Sequence, residues 1–94
     1  MEKRVGVIAL IIQDRQSIQE VNSIFSAYNE IIIGRQGIPL RDKGIHIISL
    51  IVEGTTDEIG ALTGKIGKVN GVLVKSVLTK FKENEYESID KTRI

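Results

Sequence analysis

The chain has 94 residues, with 13 Lys and Arg against 12 Asp and Glu for a net charge of +1, and it has no cysteine. That length holds one domain with one core. The absent cysteines exclude a disulfide framework or a thiolate metal site, and the balanced charge gives no general attraction to nucleic acid or to an anionic membrane. A domain this small buries only about two-thirds of its unfolded surface, so association between copies is the expected supplement to its stability.

Met1-Glu2-Lys3-Arg4 followed by an apolar run over 5–12 has the outline of a signal peptide. The run is far short of the ~20 apolar residues that cross a bilayer, and Gln13-Asp14-Arg15-Gln16 follows it in place of a small-residue cleavage site. A buried strand is expected, with no membrane segment and a cytoplasmic location. Its alternation puts Val5, Val7, Ala9 and Ile11 on one side and Gly6, Ile8, Leu10 and Ile12 on the other. Both faces are apolar, and helices on one side of a sheet would leave the second face bare. The expected cover is another copy, in a homodimer or homotetramer joined through the free sheet face.

After the polar break at Asp14-Arg15-Gln16, Ser17-Ile18-Gln19-Glu20 matches a capping box, which predicts that the Ser17 hydroxyl accepts from the Glu20 amide and starts a helix. Ile18, Val21, Ile24, Phe25 and Tyr28 form one apolar stripe. Tyr28 is expected to belong to that stripe with its hydroxyl at the edge, the alternative being a ring that stacks on a ligand. Asn29 ends the helix, and a short strand is predicted over 30–35. Residues 34–44, GRQGIPLRDKG, are expected to form a loop, and loops of that length are often functional. Arg35, Arg41 and Lys43 could receive an anionic ligand or a partner's carboxylates there, with Asp42 blunting the field, or they are solvated charges on a flexible connection.

A third strand is predicted over 45–52. It carries His46, the only histidine, for which carboxylates alone would have to complete a metal shell, so no metal is expected. Thr55-Thr56-Asp57-Glu58 is a second capping box, Thr55 with Glu58. Its acids complement the helix dipole and argue against a phosphate at that helix start. Ile59, Leu62, Ile66 and Val69 then form a core stripe. Gly60, Gly64 and Gly67 interrupt the helix, each at up to about 1 kcal/mol relative to alanine, and they cluster roughly 145° from the stripe on a wheel of 100° per residue. Either they make a groove for a backbone or ligand arriving from outside, or the helix is loosely wound and broken near Gly67. Asn70-Gly71 is expected to close it, with a fourth strand over 72–81. Residues 1–82 make the domain, and 83–94, without a sustained stripe, are expected to be a mobile or partner-dependent tail.

Strand, helix, strand, strand, helix, strand is the split order of ferredoxin-like α+β folds, βαββαβ, with a four-stranded antiparallel sheet and both helices on one face. From Lys3 to Lys82 the chain resembles ACT-type regulatory domains: Ile11-Ile12-Gln13-Asp14-Arg15 is similar to their first-strand exit into an Asp-Arg-Pro-Gly turn, with Gln16 and Ser17 standing where Pro and Gly are expected. In ACT domains that glycine lets the loop approach a bound amino acid. The chain is also similar to the C-terminal sensor domain of the nickel-responsive repressor, whose histidine and cysteine ligands have no counterpart here except His46, so nickel binding is not implied. Gly34-Arg35-Gln36-Gly37-Ile38-Pro39, with the run over 47–65, resembles a small stand-alone family labelled from context as regulators of the iron-only hydrogenase system. That resemblance implies an ACT-like protein without its own DNA-binding domain, acting near hydrogenase maturation.

The function expected is a regulatory, ligand-sensing module acting as a homo-oligomer, with a small-molecule effector held near 34–44 and the helix starts. Its candidate ligand-binding residues are Asp14, Arg15, Gln16, Ser17, Arg35, Arg41, Gly60 and Gly64. The alternative is a protein–protein interaction or assembly module without an effector. An enzyme would have Asp14, His46, Asp57 and Glu58 as acid–base groups, but no pairing among them follows from sequence, so neither catalysis nor a cofactor is expected. Direct nucleic-acid binding is not expected either, since no helix-turn-helix pattern is present.

Overall fold

Residues 2–79 are described in the computed structural model. They form β1 (Arg4–Ile12), α1 (Ile18–Ala27), β2 (Ile32–Leu40), β3 (Ile45–Gly54), α2 (Thr56–Gly67) and β4 (Val72–Leu78), with a 3-10 turn over Arg15–Ser17 leading into α1. The predicted tail over 83–94 and the last residues of the predicted fourth strand lie outside the described residues. All pairings are antiparallel and the strand order is β2-β3-β1-β4, which is the ferredoxin-like arrangement the element order predicts. β1 and β3, the two β-branched runs, take the centre.

The register fixes two faces. Ile8, Leu10 and Ile12 stand beside Leu50, Ile48 and His46 on the inner one. There Val21 and Phe25 of α1 and Ile59, Leu62 and Ile66 of α2 cover all of these but His46, in one core cluster. On the outer face, Ile51, Val7 and Val77 form one cross-strand row, and Ile38, Ile47, Ile11 and Leu73 another. The described helices cover the inner side, and Leu73 is 55% and Val77 72% exposed. Among the described residues, no helix is long and apolar enough to cross a membrane.

Three local expectations are corrected. The first capping box does not form: Ser17 has φ −82° and ψ −9° and makes no side-chain cap, while the Asp14 carboxylate accepts from the Gln16 amide. A 3-10 turn ahead of the helix puts Ser17 in helical backbone, whereas a capping side chain needs an extended one. Its buried hydroxyl donates to the Asn70 carbonyl at 2.6 Å, tying the exit of β1 to the turn before β4.

The second correction concerns residues 34–44, where the expected loop is mostly strand. β2 pairs with β3 from Gly34 opposite Ile51 to Leu40 opposite Ile45, with an irregularity between Ile32 and Gly34. Gly34, Gly37 and Pro39 are weak strand formers, but the open edge of β3 needs backbone partners, and proline is tolerated on an edge strand. Only 41–44 remain as a turn, with Gly44 at φ +68°.

Third, α2 is unbroken to Gly67 and ends at Lys68, ahead of Asn70. Gly71, at φ +73°, instead makes the turn into β4, where a Cβ would lie 2.7 Å from the Asp14 Cβ. The capping box of α2 does form, with Thr55 Oγ1 accepting from the Glu58 amide at 3.1 Å and Glu58 Oε1 accepting from the Thr55 amide at 2.8 Å.

Candidate functional site

The end of β1 and the tip of the β2–β3 hairpin lie at one end of the sheet, because Ile12 pairs with His46 and His46 with Pro39. α1 begins above them. Between these elements is a cleft of about 450 Å³, with Ile12, Ile18, Pro39 and Ile45 as its apolar walls and Arg15, Arg41 and His46 as its polar side chains. The volume falls within the roughly 300–1,000 Å³ of small-molecule sites. Gly37 makes room for the histidine, since a Cβ there would meet His46 Nε2 at 3.3 Å.

Charge in the cleft is of one sign. Both arginines are exposed, and among the described residues neither guanidinium has an ion-pair or hydrogen-bond partner. The nearby acids are engaged elsewhere: Asp42 pairs with Lys43 at 3.6 Å, and Asp14 accepts from the Gln16 amide with its Cβ against Gly71. Neither lines the cleft.

The other candidates are dispersed. Arg35 sits on β2, its guanidinium 4.8 Å from the Phe25 ring centroid and donating to Asn22 Oδ1 at 3.2 Å. It borders a shallower depression of about 300 Å³ beside Phe25, Asn29 and Ile32. Gly60 and Gly64 face open space, with no atom within 4 Å of a Cβ built on either, whereas a Cβ on Gly67 would lie 3.5 Å from Val74 Cγ1. Gln16 and Ser17 hold the turn through their backbone amide and hydroxyl. Of the eight candidates, then, only Arg15 and Arg41 line the cleft.

His46 was missed as their companion. The available signal was LRDKG, where Gly44 permits a tight hairpin and so sets Pro39 opposite His46.

Tyr28 is half-buried and packs against the core cluster, with Lys65 Nζ 5.9 Å from its ring centroid. Asp57 and Glu58 do not converge with His46: it is near the start of β3 and they follow its end, a separation of about 27 Å along an extended strand. Among the described residues no three His, Cys, Asp or Glu side chains gather as a metal site. Glu58 has its pKa lowered from the ordinary value, chiefly because the Thr55 amide donates to its carboxylate.

Residues 4–76 match a family described as "TM1266-like: Iron-only hydrogenase system regulator, putative". The chain belongs to this family. The structure of the uncharacterized protein TM1266 from Thermotoga maritima is 35% identical in sequence, with a TM-score of 0.80 over 84% of this chain and 100% of that one. The ACT domain from the GTP pyrophosphokinase of Chlorobium tepidum is 20% identical, with a TM-score of 0.69 over 80% of this chain and 99% of that one. A formyltetrahydrofolate deformylase from Pseudomonas putida is 9% identical, with a TM-score of 0.57 over 78% of this chain and 28% of its own length. These last two likenesses establish the ACT-like fold alone. No curated protein matches the sequence. Membership in a family described as regulators is consistent with a regulatory, non-catalytic role.

Proposed function

We propose that the chain is a small-molecule-sensing regulatory module that works as a homo-oligomer. The observation that carries this reading is the cleft, metabolite-sized and apolar-walled, with Arg15 and Arg41 in its lining and without a partner among the described residues. The family's description supplies the setting, the control of an iron-only hydrogenase system.

Association is supported by the outer sheet face. Across its middle run Gln36, Ser49, Ala9 and Lys75, with apolar rows on either side. Two sheets stacked about an axis parallel to the strands would lay Lys75 of each copy over Gln36 of the other and apolar rows over apolar rows. Such a dimer, or a tetramer built on it, removes the exposed Leu73 and Val77 from water.

The test is a thermal-shift and calorimetry panel of amino acids and anionic metabolites, with sedimentation of the free chain. At least one metabolite should raise the melting temperature of an oligomer. No binding across the panel would sink the sensing role. A second reading, an assembly module without an effector, is favoured by the 72% exposure of Val77 on an apolar face. A monodisperse monomer in sedimentation would point to a foreign protein as the cover for that face.

A further inference from the structure

We infer that the effector is a small carboxylate with a branched apolar body and no amino group, bound in the cleft between the β1 exit and the β2–β3 hairpin. This inference rests on the sensing role proposed above. Arg15 and Arg41 reach the cleft from opposite sides, one from the turn after β1 and the other from the hairpin tip, and each offers a planar fork of donors that suits a carboxylate. His46 adds a third polar side chain deeper in, on the row that joins Pro39 to Ile12.

The walls set the rest of the ligand. Ile12 is fully buried at the cleft floor, and Ile18, Ile45 and Pro39 surround it with branched or ring carbons, a surface on which an aliphatic chain is removed from water. A cationic group would be poorly received there. Among the described residues no carboxylate lines the cleft; Asp42 lies 3.6 Å from the Lys43 ammonium, and the Asp14 carboxylate accepts from the Gln16 amide. An α-amino acid would therefore bring an ammonium beside two guanidiniums with no carboxylate among the described lining residues to balance it, a like-charge placement that disfavours binding.

The experiment titrates the isotope-labelled full chain, followed by the amide signals of its backbone, with isocaproate, leucine, isocaproamide and inorganic phosphate. The first two share a branched chain and differ in the ammonium; the amide removes the charge, and phosphate removes the body. Isocaproate should shift the signals of Arg15, Arg41 and His46 saturably. Isocaproamide should bind about tenfold weaker or worse, as for loss of one charge-assisted contact, and leucine about tenfold weaker from the like-charge placement of its ammonium. Arg41→Gln, in an exposed turn, should weaken isocaproate by about tenfold while the melting temperature of the free chain stays the same, and Arg15→Gln should act likewise.

Leucine binding as tightly as isocaproate, phosphate matching it, or both arginine variants keeping full affinity would overturn the inference. So would saturable shifts confined to the Arg35 depression or to the outer face. If some other metabolite from the thermal-shift panel binds and no carboxylate does, the sensing role stands and this ligand class falls. If nothing in either panel binds, both fall.

Discussion

Ser17 shows how one hydroxyl can serve the fold in a way its local sequence does not announce. It is buried, and its bond to the Asn70 carbonyl joins positions 53 apart, which holds the Arg15 turn against the turn before β4. Ser17→Ala leaves that carbonyl without its partner and should cost about 1–2 kcal/mol, read from urea unfolding midpoints. Glu58 makes the opposite case, a side chain whose role is fully local. Its folded-state pKa lies below the ordinary 4.5, with the Thr55 amide as the first cause and the Thr55 hydroxyl and Lys3 also lowering it against some desolvation. A depressed carboxylate contributes stability that is complete above the ordinary value and is lost as pH falls through the folded value. Glu58→Gln, which retains the box geometry, should flatten that acid limb; unfolding midpoints measured across a pH series would show the wild-type slope reduced.

At the scale of the elements, α2 and β2 diverge in how their glycines are used. Gly60 and Gly64 stand in open space on the exposed side of α2, so alanine there meets no neighbour and removes the conformational cost of glycine in a helix. Replacing both should raise stability by about 1–2 kcal/mol in urea titration. A double variant that instead lost its oligomeric state or ligand binding would mean that another molecule approaches this helix face. On β2 the glycines accompany a proline in a stretch that composition marks as loop. The backbone groups of β3 decide otherwise, since leaving a long edge of the central strand unpaired is costlier than accepting poor strand formers opposite it. The element order, the core stripes of both helices and the Thr55 capping box were legible because they are periodic or confined to a few neighbouring residues. The pairing of β2 was not, because it depends on a strand reached through the turn.

For the whole molecule the outer sheet face is an exposed apolar surface, with Leu73 and Val77 on it, and it sets the last prediction. Val77 is 72% exposed in the single chain, so Val77→Glu should leave the fold of each chain in place while placing a charge in the proposed contact between sheets. Sedimentation should show the wild type as an oligomer and the variant shifted to monomer; an unchanged oligomer would place the contact elsewhere. The sequence by itself determined the βαββαβ order, the inner core and the existence of a second apolar face, since each follows from alternation or helical period within a segment. Only the tertiary structure decided that Arg15, Arg41 and His46 share one cleft and that Arg35, Gly60 and Gly64 do not. The reason is register: the cleft forms because a tight turn sets Pro39 opposite His46 and the sheet sets His46 opposite Ile12, and those pairings are fixed by completing backbone hydrogen bonds across strands.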